Sequence, residues 1–210
     1  MNMTFDKKMA INMGIVTGFF VACAIGYALY GYYKNRLSAQ AYNVFTARFE
    51  EFEKIIAGQN LPDQKLIDAV AADYAAYKQS NYGGFLLALK ADMEALRNNN
   101  EQALEDMSKA VALLSFCDPV LYYTYQTKYA LMQIDSSDLT LQTKGRLALE
   151  KLALNSKNPV RDMALFYMGY QPFVDNDQQG MQTAWNRLFD NGVPTSIWGQ
   201  RVQSLLNFTA

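Results

Sequence analysis

A run without any charged side chain, residues 9–33, constrains this chain more than any other feature of its sequence. A helix needs about 20 predominantly apolar residues to cross the hydrocarbon core of a bilayer, and this run is long enough. Lys7 and Lys8 precede it, Lys34 follows it, and tyrosines gather at its second end, where amphipathic rings favour the membrane interface. The sequence therefore predicts a single transmembrane helix over residues 9–33, after a short segment of residues 1–8.

Two other interpretations of this run involve cleavage of the chain, as a signal peptide or as a lipoprotein. A cleaved signal peptide has an apolar region of only about 7–15 residues, and this run continues beyond that length. A lipoprotein would be cleaved before Cys23 and acylated there, because the small residue Ala22 precedes the cysteine. The chain after Cys23 stays apolar up to Tyr33, which a spanning helix requires and a lipid anchor does not. We therefore expect an uncleaved anchor, with a lipid-anchored scaffold for envelope protein assembly as the alternative.

Small residues recur every four positions within the run. They are Gly14, Gly18, Ala22 and Gly26. Because lipid provides no hydrophobic drive for helix association, a smooth stripe of this kind allows another helix to approach closely. The stripe predicts a packing face for a partner helix or a second copy, although glycine is also simply frequent in spanning helices.

Beyond residue 33 the apolar residues follow a helical period. Leu66, Ile67, Val70 and Tyr74 give one such stripe, and no convincing strand-like alternation of apolar and polar residues occurs. The chain has 19 Lys+Arg against 20 Asp+Glu, and several of the basic residues lie close to the apolar run. The rest is therefore mildly acidic, which argues against nucleic acid as a partner. The sequence predicts an all-α fold.

Helix starts return at regular intervals along this part of the chain. Asp118-Pro119 and Asn158-Pro159 combine an N-cap side chain with a proline in the first turn, Val193-Pro194 is similar, and an earlier start falls at residues 81–84. The spacing of roughly 35–40 residues is close to the period of tetratricopeptide repeats. Polar segments divide each interval into two helices; they are Arg97-Asn98-Asn99-Asn100-Glu101, Asp135-Ser136-Ser137-Asp138 and Asp175-Asn176-Asp177.

These intervals predict a divergent tetratricopeptide-like helical-hairpin solenoid over residues 81–210. A membrane-proximal helical hairpin over residues 34–80 would precede it. The unit after Asn158-Pro159 fits the repeat best, since it places Gly169 in the first helix and Trp185 in the second. The C-terminal segment with Trp198, Arg201, Leu205 and Phe208 is expected to form a capping helix.

The composition argues against catalysis. The chain has no histidine, which removes the commonest general base and the commonest transition-metal ligand, and two cysteines do not make a Cys-rich zinc site. Asp175 and Asp177 suggest a calcium loop, but Asn186 stands where a bidentate Glu is required, so a turn is the better interpretation. Cys117 has no histidine to activate it and is interpreted as a small apolar residue. We expect no enzyme activity, no metal and no cofactor.

Tyrosines and one glutamine are the candidate binding residues. They are Tyr122, Tyr125, Gln126, Tyr129, Tyr167 and Tyr170. All of them fall in first helices of the predicted hairpins, which line the concave surface of such arrays. Aromatic rings there supply contact area for a peptide at low entropic cost, although tyrosines can equally fill the repeat core.

The layout of an apolar run followed by a small divergent repeat array resembles the YfgM-like family, ancillary subunits of the bacterial SecYEG translocon. The local resemblance lies in residues 81–89, Asn-Tyr-Gly-Gly-Phe-Leu-Leu-Ala-Leu, and in residues 100–104, Asn-Glu-Gln-Ala-Leu. The resemblance implies an inner-membrane protein with a cytoplasmic N-terminus and a periplasmic repeat domain. Its expected partners are the translocon, a membrane-anchored periplasmic chaperone and exported polypeptides. The charges on the two sides of the run are nearly balanced and do not set the orientation by themselves.

Overall fold

The computed structural model describes residues 31–190 and 196–208, and all regular secondary structure in these two ranges is helical. The all-α prediction is therefore confirmed for the described residues. The helices are α1 (31–57), α2 (Gln64–Tyr77), α3 (Gly83–Leu96), α4 (Asn100–Leu113), α5 (Pro119–Ile134), α6 (Leu139–Leu154), α7 (Arg161–Val174), α8 (Gln178–Asp190) and α9 (Ile197–Phe208), with a single 3₁₀ turn, Leu114–Phe116, between α4 and α5.

The predicted transmembrane helix falls almost wholly outside the described residues. Residues 9–30, which include Cys23 and the stripe of Gly14, Gly18, Ala22 and Gly26, are not among them, and residues 31–33 form the first described part of α1. Within residues 31–190 and 196–208, no helix is both long enough and apolar enough to cross a bilayer. The spanning helix stays a prediction.

Each helix packs mainly against its neighbours in sequence. The most extensive contacts join α3 to α4, α5 to α6, and α7 to α8, which we call the first, second and third hairpins. Further contacts join α2 to α3, α4 to α5 and α6 to α7, while α9 packs against α7 and α8. Short turns between long helices force each pair to run antiparallel, so successive hairpins stack side by side.

The helix starts follow from local side chains, with one correction. The Asp118 carboxylate accepts a hydrogen bond from the Val120 backbone N–H at 2.8 Å, so α5 begins at Pro119 as predicted. The prediction that Asn158 caps α7 is wrong, because α7 begins at Arg161. The buried Asn158 side chain accepts the Val160 backbone N–H at 3.0 Å within the connecting loop, before α7 begins. It also donates to the Leu152 carbonyl at 2.9 Å and so ties this loop to the end of α6. The predicted start at Val193-Pro194 lies outside the described residues.

The three predicted polar turns all separate helices. They lie between α3 and α4, between α5 and α6, and between α7 and α8. In the first and the third hairpin, Asn98 (φ 62°) and Asn176 (φ 58°) adopt the left-handed conformation that ends many helices. The following residue closes each turn, since Asn99 N–H bonds to the Glu94 carbonyl at 2.9 Å and Asp177 N–H to the Pro172 carbonyl at 2.8 Å.

Close packing in the third hairpin depends on a glycine. A Cβ on Gly169 of α7 would overlap the indole of Trp185 on α8. That indole is buried and donates from Nε1 to the Phe166 carbonyl at 3.0 Å. In the second hairpin, a Cβ on Gly145 would lie 2.6 Å from the Ala130 carbonyl oxygen. These two glycines let paired helices approach more closely than any other residue would allow.

Charged side chains lie between the two helices of the first hairpin, whereas aromatic side chains lie between those of the third. Lys90 Nζ of α3 lies 2.5 Å from Asp106 Oδ2 of α4 and 3.7 Å from Glu94 Oε1, and both carboxylates are buried. Glu94 also accepts a hydrogen bond from Asn99 Nδ2 at 2.9 Å. Buried charges of this kind are tolerated only because each has an opposite partner within reach.

The long helix α1 covers the N-terminal side of this array. Its side chains Phe45, Phe52 and Ile55 pack against a buried cluster made by α2 and α3. The members of that cluster are Leu66, Ile67, Val70, Leu89 and Met93. Helix α1 is continuous from residue 31 to residue 57, so the chain passes without a break from the end of the apolar run onto the hairpin array.

Candidate functional site

The predicted tyrosines of α5 lie in a groove between helices. We call it the tyrosine groove; its volume is 500 Å³ and residues of α4, α5 and α6 line it. Its lining residues are Val111, Tyr122, Tyr123, Gln126, Tyr129, Ala148, Lys151, Leu152 and Asn155. A groove of this size with apolar surface and a few polar groups has the character of a ligand-binding site.

Helical spacing explains why these side chains meet. Tyr122, Gln126 and Tyr129 are four and three residues apart on α5 and therefore share one face. On the neighbouring face of the same helix, Thr127 and Ala130 are buried in the protein interior. Helix α5 thus has one face committed to packing and another that presents aromatic rings to the groove.

Amide side chains fix the orientation of the tyrosine hydroxyls. Gln126 Nε2 donates to the Tyr122 hydroxyl at 2.6 Å, and Asn155 Nδ2 donates to the Tyr123 hydroxyl at 3.1 Å. Each phenolic oxygen then acts as acceptor and keeps its own O–H to donate. The groove therefore offers hydroxyl donors that suit the carbonyl oxygens of an extended peptide.

The electrostatic character of the tyrosine groove is positive. Lys151 forms no ion pair within the described part of the chain, and none of the groove's described lining residues is acidic. A ligand carboxylate beside this ammonium group would find an unopposed positive charge. The groove thus favours a neutral or acidic segment over a basic one.

Tyr167 and Tyr170 lie in a second cavity, which is lined by α5, α6 and α7. We call it the acidic cleft; its volume is 590 Å³. Its charged lining residues are Asp135, Arg146, Glu150, Asp175 and Asp177. Apolar side chains from all three surrounding helices complete it, namely Leu131, Ile134, Leu147, Leu149 and Met168. Four carboxylates and one guanidinium give the cleft a negative charge, which favours a cationic ligand. The acidic cleft and the tyrosine groove are therefore opposite in charge.

Helix α6 separates the two cavities, and this differs from the predicted single aromatic surface. Its residues Ala148, Lys151 and Asn155 reach the tyrosine groove, whereas Arg146 and Glu150 reach the acidic cleft. The two sets lie on different faces of one helix because of the 3.6-residue period. Second helices as well as first helices therefore contribute to both cavities.

Tyr125 belongs to neither cavity. Its ring lies edge-on to Phe85 of α3, with ring centroids 5.7 Å apart, and packs against the core of the first hairpin. Burial, and secondly the nearby Asp92 carboxylate, raise the pKa of Tyr125 to about 12. Asp92 is itself paired with Lys128 Nζ of α5 at 2.5 Å, and burial raises the pKa of this carboxyl despite that pair. Tyr125 joins two hairpins rather than lining the groove.

Six of the nine residues that line the tyrosine groove were not among the predicted binding residues. Three of the six are polar, namely Tyr123, Lys151 and Asn155, and three are apolar, namely Val111, Ala148 and Leu152. The spacing of Lys151 and Asn155, four residues apart at the end of a helix, places them on one face and was a usable signal. The spacing could not predict which helix packs against this face of α6.

The turn after α7 has a structural explanation. The Asp177 carboxylate accepts the Gly180 backbone N–H at 3.0 Å, as a capping side chain does at a helix start. Among the described residues, no group of three or more potential metal-ligating side chains occurs. Burial, and secondly Asp118, raise the pKa of the Cys117 thiol, which reduces its reactive thiolate fraction.

The chain was compared with protein-family models, with curated proteins and with solved structures, and none of the three comparisons gives a match.

Proposed function

We propose that the chain is a membrane-tethered, tetratricopeptide-like interaction module that binds an extended segment of another protein in the tyrosine groove. The groove is the observation that carries the proposal. It combines three tyrosine rings, two amide side chains and one unpaired lysine in a space of 500 Å³. Rings supply contact area, amides and hydroxyls match a peptide backbone, and the lysine selects a segment without excess positive charge.

The tether in this proposal is the charge-free run over residues 9–33. A tether keeps the groove close to one membrane complex and raises its effective concentration there, so that weak peptide binding is sufficient. The stripe of Gly14, Gly18, Ala22 and Gly26 would then pack against a helix of that complex.

The resemblance to the YfgM-like family supplies the cellular setting of the proposal. In that setting the run spans the bacterial inner membrane, the hairpins lie in the periplasm, and the partners are a SecYEG-type translocon and a membrane-anchored chaperone. The clients are exported polypeptides that leave the translocon unfolded. No catalytic step is part of this function.

Site-specific photo-crosslinking in membranes tests the groove. A photoreactive residue at Gln126 of the full-length chain is expected to crosslink to exported polypeptides. The same residue at Lys144, which is exposed on the second hairpin and lines neither cavity, is the matched control. A Tyr129→Ser/Lys151→Ser variant with an unchanged thermal midpoint should lose the crosslinks from Gln126. Equal crosslinking from both positions, or full crosslinking in the variant, would contradict the proposal.

Protease protection tests the orientation. In sealed inner-membrane vesicles with the cytoplasmic face outside, the hairpins should resist added protease until detergent opens the vesicle. Digestion of the hairpins before detergent is added would place them on the cytoplasmic side and would contradict the periplasmic setting.

A further inference from the structure

An aromatic side chain stands almost fully in solvent at the turn between the first and the second hairpin. Phe116, in the 3₁₀ turn, is 96% exposed, more than any other large hydrophobic residue among the described ones. Leu113, Val120 and Leu121 beside it are also exposed. We call these four residues the turn patch. Single exposed apolar residues are ordinary, whereas a cluster of them around a protruding ring indicates a surface that contacts a membrane or another protein.

The turn patch lies beside the point where the chain leaves the apolar run. Phe116, Leu113 and Leu121 line a shallow cavity of 510 Å³ together with Lys34. Lys34 is the first charged residue after the run over residues 9–33. The turn patch and the end of the run therefore lie at the same edge of the hairpin array.

Positive charge accompanies the apolar surface at this edge. Lys34 and Lys78 both line the shallow cavity, are exposed, and form no ion pair with another described residue. The carboxylate at the same edge, Asp118, accepts the Val120 backbone N–H. An apolar tip flanked by flexible ammonium groups is the arrangement that suits the boundary between acyl chains and anionic headgroups.

We propose that the turn patch inserts into the headgroup region of the bilayer that residues 9–33 cross. This inference rests on the membrane tether proposed above. The continuous helix α1 links the run to the array, and the patch supplies a second point of contact. Two contacts would fix the tilt of the hairpins relative to the membrane, and so the direction in which the tyrosine groove opens.

A lipid surface fits this patch better than a second copy of the chain. In a symmetric contact between two copies, Lys34 and Lys78 of each copy would approach the same residues of the other, and like charges at an interface are unfavourable. Anionic headgroups would instead be attracted to both ammonium groups.

Fluorescence quenching by brominated lipids tests the insertion. The full-length chain with Cys23→Ser, Cys117→Ser and Phe116→Cys carries a bimane label at position 116 and is reconstituted in nanodiscs with anionic lipid. The control is Leu139→Cys in the same background. Leu139 is 75% exposed and begins α6, just beyond the end of α5 that is distant from Phe116, about 24 Å away along the 16 residues of α5. We expect roughly threefold stronger quenching at position 116 than at position 139, because interfacial side chains reach about 5–10 Å into the acyl boundary.

Extraction of the same samples at alkaline pH separates the two proposals. Retention of the chain in the lipid fraction with equal quenching at the two positions would overturn the insertion and leave the tether intact. Loss of the chain from the lipid fraction would overturn both. Disulfide-linked dimers of the same chain before labelling, together with no quenching of the labelled chain, would assign the patch to a second copy and would also overturn the insertion.

Discussion

The first and the third hairpin solve the same packing problem with different chemistry. Both consist of two helices joined by a polar turn with a left-handed asparagine, Asn98 in one and Asn176 in the other. Inside the first hairpin, Lys90 bridges the buried carboxylates of Glu94 and Asp106. Inside the third hairpin, the indole of Trp185 fills the space above a glycine of α7.

The comparison shows that the backbone geometry of a hairpin does not depend on which side chains stabilise its interior. The turn and the helix length set the hairpin, and these are shared. The interior side chains can be charged or aromatic, as long as they fill the space between the helices and their polar groups are paired. The two hairpins should therefore fail in different ways when a single residue is changed.

The largest effect is expected for Lys90→Met. This change leaves two buried carboxylates without their cation, which typically costs about 3–5 kcal/mol of the free energy of unfolding. Urea denaturation of the full-length chain in detergent, followed by circular dichroism, measures it. The matched control is Lys109→Met, which removes the exposed partner of Glu105 and should leave the midpoint unchanged. Equal effects of the two variants would show that burial of the pair contributes nothing.

A smaller loss is expected for Gly169→Ala in the third hairpin. The added methyl group displaces the Trp185 indole and breaks its hydrogen bond to Phe166, at a cost of about 2–3 kcal/mol. A red shift of tryptophan fluorescence should accompany the lower urea midpoint. Gly31→Ala is the control, because a Cβ there meets no atom within 4 Å. A Gly169→Ala variant as stable as the original chain would refute the interlocked packing.

Alkaline pH should weaken the junction between the first and the second hairpin. The folded-state pKa of Tyr125 is about 12 against an ordinary 10, so the folded chain holds this proton more tightly than the unfolded chain. The contribution of protonated Tyr125 to the free energy of unfolding is complete below pH 10 and is lost as the pH rises towards 12. At pH 11 the loss is about 1 kcal/mol.

Replacement by phenylalanine isolates that contribution. The Tyr125→Phe variant should lose less stability than the original chain between pH 9 and about 11. Tyr170→Phe, which changes an exposed ring, should follow the original chain. Parallel curves for all three proteins would contradict a buried Tyr125.

The smallest effects should be the same in both hairpins. Asn98→Gly and Asn176→Gly each relieve the strain of a left-handed residue and should each raise the free energy of unfolding by about 0.5 kcal/mol. Thermal midpoints measured side by side check this. Opposite signs at the two turns would show that the turns are not equivalent.

Local signals in the sequence predicted most of the fold. Asp118-Pro119 and the three polar turns marked helix ends correctly, because caps and turns depend on residues close together in the chain. The start of α7 was predicted two residues too early, because Asn158 forms a turn with Val160 within the loop before the helix. Its other hydrogen bond, to Leu152 on the preceding helix, is a contact that the Asn-Pro pattern does not contain.

The candidate site was predictable only in part. The face of α5 with Tyr122, Gln126 and Tyr129 follows from helical spacing, and these residues do share a groove. Their separation from Tyr167 and the burial of Tyr125 depend on which helix lies across each face. A tyrosine is as suited to a core as to a surface, so composition could not distinguish the two.

The sequence by itself determined the helices, their order and the charge-free run, since caps, turns and the 3.6-residue period are properties of neighbouring residues. Tertiary structure decided the rest: that α6 divides the tyrosines between a positive groove and an acidic cleft, that Lys90 lies between two carboxylates, and that Phe116 is exposed at the surface of the hairpins. Each of these depends on contacts between residues far apart in the chain, and such contacts are set by how the helices pack against one another.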